Sequence, residues 1–268
     1  HLFIGSEGTL GFIVEAEIKL APGPKPQRVM VLGVNDLNDI LDLLQCFQQH
    51  VVLTAFEFFS ELALRKVTNQ GDVPRPFSEP CAFYALVEFD ADADEEATIA
   101  FEEALDQGWV TTGVISQSDT QAAALWSLRE NISESIAADT PYKNDLSVRI
   151  SEVPGFLSDV DGIVNKHYPD LDVCWYGHIG DGNLHLNILK PESLTIDEFF
   201  ERCHRINPEL FSLIEQRGGS ISAEHGVGLL KREFLPFSRS DAEIGLMRGL
   251  KEVFDPSGIM NPGKLFSV

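Results

Sequence analysis

The chain has 268 residues, 44% hydrophobic and 23% charged, which is ordinary for a globular protein able to bury a sizeable core. Its 42 acidic and 20 basic side chains give a net charge of -22, so a phosphate backbone would be repelled and nucleic-acid binding is not expected. No apolar run is long enough to cross a bilayer as a helix, and the four cysteines (Cys46, Cys81, Cys174, Cys203) lie far apart and read as reduced thiols, with cytoplasmic residence the plain expectation.

The opening at His1 carries no signal-peptide pattern and reads as the interior of a longer chain. Gly5, Gly8 and Gly11 mark a turn, and Phe12, Val14, Ala16, Ile18 and Leu20 then alternate as in a strand. Pro22, Pro24 and Pro26 break that element and set a boundary near residue 24. Beyond it the expected order is strand 29–34, helix 36–49, strand 52–59, helix 61–67, strand 82–89, helix 95–107 and strand 110–115. A long helix over 120–138, a strand over 145–150 and a helix over 153–166 come next. Two strands, 172–178 and 184–190, flank a glycine-rich turn, and helices over 196–217 and 242–254 finish the chain. This alternation predicts an α+β fold: a ferredoxin-like antiparallel sheet with helices on one face. No internal repeat or low-complexity tract is visible.

Three clusters carry chemistry. In Gly177-His178-Ile179-Gly180-Asp181-Gly182-Asn183-Leu184-His185-Leu186-Asn187 the tight turn can bring two imidazoles together. Strand alternation then puts His185 and Asn187 on one face. Ser222-Ala223-Glu224-His225-Gly226-Val227-Gly228 adds a carboxylate, so His178, His185 and Glu224 make a plausible open three-ligand site for a divalent ion, zinc first among candidates. His225, pointing elsewhere than its neighbour, is free to serve as a base. The third cluster holds Arg129 and Ser133, four apart on a helix, with Lys143 further on; a guanidinium fork and an ammonium suit a carboxylate ligand. A metal-dependent hydrolase and a non-catalytic, metal-stabilised module remain alternative readings of these residues.

Taken in order with Leu125-Trp126-Ser127-Leu128-Arg129, Gly5-Ser6-Glu7-Gly8-Thr9-Leu10-Gly11 and Phe254-Asp255-Pro256-Ser257-Gly258-Ile259-Met260-Asn261-Pro262-Gly263-Lys264, these stretches resemble the C-terminal part of the vanillyl-alcohol-oxidase-type flavoproteins. The branch resembled is the one that holds the FAD-linked D-2-hydroxyglutarate, D-lactate and glycolate dehydrogenases. The resemblance implies that residues 1–24 are the edge of a flavin-binding domain. It makes 25–250 a substrate domain and 251–268 a tail returning to the flavin. It assigns Arg129, Ser133, Lys143 and Asn187 to the substrate, His178, His185 and Glu224 to the metal, His225 to proton removal, and Gly5, Glu7, Gly8 and Asn261 to FAD. Ser133 stands where the family has threonine, and the spacing to Lys143 is one residue shorter. The loop for the FAD pyrophosphate would lie upstream of His1. The implied partners are a small 2-hydroxy-carboxylate and an electron acceptor of quinone, cytochrome or electron-transfer flavoprotein type; a homodimer is an open option, and a eukaryotic source would imply mitochondria.

Overall fold

Seven strands form one antiparallel sheet in the order β4-β1-β3-β2-β6-β7-β5, in a computed structural model that describes residues 2–71 and 73–266. The first half runs β1 (Gln27–Val34), α1 (Asp39–His50), β2 (Leu53–Ser60), α2 (Glu61–Thr68), β3 (Phe83–Asp90), α3 (Asp94–Gln107) and β4 (Thr112–Ile115). Omitting α2, this is the βαββαβ path with β1 and β3 central, the arrangement that the name ferredoxin-like denotes. After α4 (Asp119–Glu130) and α5 (Ile132–Ser135), the second half repeats the path: β5 (Tyr142–Ser147), α6 (Val153–His167), β6 (Asp172–His178), β7 (Asn183–Leu189) and α7 (Ile196–Gln216). The halves meet where β2 pairs with β6, Phe58 opposite Gly177.

Where the first half has β4, the second has a single antiparallel bridge, Ser147 to Ser220. The chain after α7 therefore touches the sheet edge once and leaves it, and that departure carries Ser222–Gly228 over the end of β5. A 3-10 segment (Arg232–Phe237) and α8 (Asp241–Phe254) follow.

Side-chain alternation divides each strand between two cores. On β1, Met30, Leu32 and Val34 join the core under α1, α3, α6 and α7, while Val29 and Val31 face the other side. That other side is covered by α2, α4 and α5 through Leu64, Val67, Leu125, Leu128, Ile132 and Ile136. The expectation of helices on one face thus describes the larger layer, and a thinner second layer has to be added. The thin layer covers the first half, reaches β6 through buried Cys174 and stops at α5, which leaves room for a cleft over the same face of β7 and β5.

Three elements differ from their sequence expectation. Phe12–Leu20 forms no strand; its side chains stand in solvent on both sides, Val14 at 88% exposure. Alternation favours extended backbone, but a strand also needs a neighbour for its amides, and none of the described residues supplies one. The expected helix 120–138 breaks at Asn131, whose side chain makes no cap bond and whose ψ of -3° ends α4 before α5 resumes. Asn and Ser compete with the helix for backbone hydrogen bonds, and 131–135 holds three of them. The expected strand 145–150 sits three residues early, because Asp145 and Asn144 are buried polar residues inside β5.

Leu235, Ile244, Leu265 and Phe266 make a third, small core at the C-terminal end. Buried Lys251 fixes it to the opening turn, donating to Thr9 O at 2.8 Å and Met260 O at 2.6 Å and pairing with Asp255. Ser267 and Val268, part of the expected tail, lie outside the described residues. No described helix is long and apolar enough to cross a membrane.

Candidate active site

The open half of the sheet presents two rows of side chains to one cleft. Asp145, His185 and Tyr176 are direct cross-strand neighbours on β5, β7 and β6, and Lys143 and Asn187 form the next row. Period-two alternation explains the selection: Leu184, Leu186 and Ile188 between them go to the opposite core. The cleft has a volume of about 680 Å³, and Arg129 and Ser133 enter it from α4 and α5, while the 224–231 loop closes it from the β5 side. Four cations (Arg129, Lys143, Lys231, Lys264) line it, a local reversal of the chain's net charge of -22.

The turn between β6 and β7 occupies residues 179–182. Gly182 has a φ of +77°, and a Cβ there would lie 2.2 Å from the carbonyl oxygen of Val148, so the turn admits only glycine. It sets the ring centroids of His178 and His185 5.6 Å apart, edge to face. His185 Nε2 is 3.5 Å from Glu224 Oε1, and His225 Nε2 is 3.6 Å from the same oxygen. Asp145, His185, Glu224 and His225 each bring a ligating atom within 4.8 Å of the others. His178, expected as a ligand, is not one of these four; it lines the same cleft with its Nδ1 2.7 Å from Glu57 Oε1.

Asp145 holds the loop. Its Oδ2 accepts from the amides of Glu224 and His225, both at 2.9 Å, and from Ser222 Oγ at 3.1 Å. Burial alone would raise its carboxyl, but the amides of His225 and Glu224 hold it below the usual carboxylate range. Lys231 adds two bonds, to the carbonyl oxygens of Ile221 (2.6 Å) and Asp145 (3.2 Å), and burial pushes its ammonium down to about 8. Burial, with Arg129 close by, pushes His185 down to about 4, so it presents a neutral imidazole at neutral pH. His178 moves the other way, raised by its bond to Glu57.

Arg129 is buried, its guanidinium 4.7 Å above the Tyr176 ring and its Nε donating to Glu57 Oε2 at 3.0 Å. Ser133 and Lys143 remain within reach of each other despite the helix break, with Lys143 Nζ donating to Ser133 Oγ at 2.9 Å. Asn187 lies at the cleft floor, its amide bound to the carbonyls of His185 and Cys174.

Every residue assigned to substrate, metal or proton removal therefore reaches one cleft: Arg129, Ser133, Lys143, Asn187, His178, His185, Glu224 and His225. Gly5, Glu7, Gly8 and Asn261 lie outside its lining. Glu7 accepts from the amides of Val227 (2.6 Å) and Gly228 (2.8 Å), and Asn261 Nδ2 donates to Glu7 O. The Glu7 carboxylate is thus spent on the loop that bears His225. Glu57, Asp145 and Lys231 were not singled out from the sequence. A carboxylate in the apolar run Ala55-Phe56-Glu57-Phe58-Phe59 was the available signal for the first, since Glu is rarely buried unpaired.

The family model described as FAD linked oxidases, C-terminal domain, matches residues 23–265. The chain belongs to this family. The D-2-hydroxyglutarate dehydrogenase of Stutzerimonas stutzeri (strain A1501) is 55% identical over 270 residues, covering 100% of the chain and 58% of the relative. The enzyme of the same name from Xanthomonas citri pv. viticola is 49% identical, covering 99% of the chain and 57% of the relative. The chain thus spans less than three-fifths of the length of either relative. Among solved structures, 4-ethylphenol oxidase from Gulosibacter chungangensis superposes with a TM-score of 0.62 over 93% of the chain and 55% of that protein, at 14% identity, a likeness of fold.

Proposed function

We propose that this FAD-linked oxidase domain binds a D-2-hydroxy acid, 2-hydroxyglutarate before lactate, for oxidation to the 2-oxo acid by a flavin-dependent dehydrogenase. The observation that carries the reading is the meeting of Arg129 and Lys143 with the histidine–carboxylate cluster in one cleft of about 680 Å³. The names of the two bacterial relatives support the substrate class.

The donor set fits a divalent cation. Neutral imidazole and carboxylate oxygens face one another at 3.5 Å, and Asp145 Oδ1 is buried with no hydrogen-bond partner, an arrangement that a shared cation would satisfy. His178, His185 and Glu224 would hold it, with Asp145 beside them; nitrogen and oxygen ligands suit zinc, with manganese or iron as alternatives. When bound, such an ion lowers the pKa of a coordinated hydroxyl.

The chain's own groups divide the remaining work. Arg129 has Nε tied to Glu57, so its terminal nitrogens are left to grip the C1 carboxylate in a fork. Lys143 and Ser133, already linked, meet a distal carboxylate, and Asn187 orients the substrate from the floor. His225 Nε2 takes the hydroxyl proton, on a loop held by Asp145 and Glu7 so that the imidazole does not wander. FAD, when bound, would supply the hydride acceptor, and we infer that it is held mainly by residues beyond this chain, with the opening and closing segments of the chain against that part. Electrons leave toward an acceptor of quinone, cytochrome or electron-transfer flavoprotein type, and we place the protein in the cytoplasm, or in mitochondria if the source is eukaryotic.

A panel of D- and L-2-hydroxy acids with the flavin-loaded protein tests the proposal. Turnover of D-2-hydroxyglutarate, lost in His225→Ala with flavin retained, is expected. Full turnover in that variant, or no turnover of any D-2-hydroxy acid, overturns it.

A further inference from the structure

Glu57 sits on β2 at the seam between the two halves of the sheet, with a side-chain exposure of 7%. A carboxylate buried this deeply loses its hydration and persists only where partners replace it. It has two among the described residues, one on each oxygen. Oε1 lies 2.7 Å from His178 Nδ1 on β6, and Oε2 accepts from Arg129 Nε on α4 at 3.0 Å. The first has the short length of a charge-assisted bond and the second the ordinary N–H···O length.

We propose that Glu57 is a positioning residue that fixes the metal-facing nitrogen of His178 and the substrate-facing edge of Arg129 at once. An ionised carboxylate only accepts hydrogen bonds, so the bond to Oε1 puts a proton on Nδ1 of His178. In the neutral ring Nε2 then carries the lone pair, the tautomer a ligating histidine needs. Carboxylates placed behind ligating imidazoles act in this way, setting ring orientation and basicity. The same side chain ties Arg129 by Nε, its inner nitrogen. With the guanidinium carbon 4.7 Å over the Tyr176 ring, this restricts rotation and leaves Nη1 and Nη2 outside the tie to Glu57. One buried carboxylate thereby sets the distance between the two grips on a hydroxy acid: the group that takes its carboxylate and the group that faces its hydroxyl. A purely structural ion pair between β2 and α4 would need Arg129 alone and would leave the His178 tautomer unset.

The inference rests on the reading of His178 as a ligand, and the test separates the two. Nitrogen-15 NMR of the imidazoles, recorded without metal well above the ordinary histidine pKa, reports the His178 tautomer in the unaltered protein. Protonation at Nδ1 is expected, and a ring protonated at Nε2 overturns the proposal without need of any variant. Zinc titration followed by calorimetry then compares the unaltered protein with Glu57→Gln, which keeps the shape but not the charge. Affinity should fall about 10- to 100-fold, measured below the variant's thermal midpoint, which the loss of the buried charge opposite Arg129 also lowers. Lactate, which lacks the distal carboxylate, should lose as much in kcat/KM as 2-hydroxyglutarate, since both use the C1 carboxylate and the hydroxyl. If the unaltered protein takes up no zinc, the ligand reading fails and this inference with it. If it binds zinc and Glu57→Gln binds it equally well, the positioning role alone fails.

Discussion

Removing the Asp145 carboxylate should release the loop that bears Glu224 and His225. Its Oδ2 accepts two backbone amides at 2.9 Å and a hydroxyl at 3.1 Å. Hydrogen bonds to a charged acceptor contribute about 1.5–3 kcal/mol each, so the two amides together bound the loss in Asp145→Ala at about 3–6 kcal/mol. Glu224 and His225 are exposed in their side chains, so water can recover part of the loss after the loop moves. About 2–4 kcal/mol is then expected from the same bond strengths. For a chain near this size each kcal/mol shifts the midpoint by roughly 2–4 °C, which puts the fall in Tm at about 4–16 °C. Asp145→Asn keeps one carbonyl acceptor without the charge and should lose roughly half as much. Calorimetric melting checks both, and limited proteolysis between 222 and 231 reports the loop itself. A parental Tm together with an uncut loop in Asp145→Ala would refute the argument that this carboxylate holds the loop.

Gly226 has a φ of +84°, and an added Cβ would lie 2.7 Å from Glu7 Oε1; Gly226→Ala should cost about 1–2 kcal/mol in backbone strain and loosen the Glu7 bonds to Val227 and Gly228, read by urea unfolding. Away from the cleft, burial works against ionisation of Glu61, but its bonds to Arg75 and Tyr84 hold its pKa below 4.5. A depressed folded-state pKa means this contribution is present above about pH 4.5 and lost as pH falls below it; stability measured against pH should decline less over that range in Glu61→Gln than in the parent. Lys251→Met removes the ammonium that joins Thr9, Asp255 and Met260, and protease cleavage within 256–266 should become faster.

Residue spacing revealed much of the fold and the polar face of the cleft, for a physical reason. His185 and Asn187 alternate with leucine on a strand, and the glycines at 180 and 182 imply a turn, so the chemistry of 177–187 is written in local periodicity. The strand expected over 12–20 shows the limit of that logic, since alternation says nothing about whether a partner strand is at hand. Glu57 and Asp145 show another. Each acts through side chains or amides far away in sequence, Glu57 on residues 129 and 178 and Asp145 on 224 and 225, and only the strand pairings bring them close. The repeated βαββα path also left no trace in the residues, because the two halves share topology rather than side chains. The thin helical layer went unseen because α2, α4 and α5 have apolar faces that fit either side of a sheet equally well.

The central claim is that His185 and Glu224, brought within 3.5 Å of each other, share a divalent cation with their neighbours in the cleft. Calorimetric titration of zinc into the protein, and into His185→Ala and Glu224→Ala, tests it most directly. One ion bound per chain, with binding abolished in both variants while their folded spectra persist, is the predicted result. A parent that binds no zinc, or variants that bind it as tightly as the parent, would contradict it.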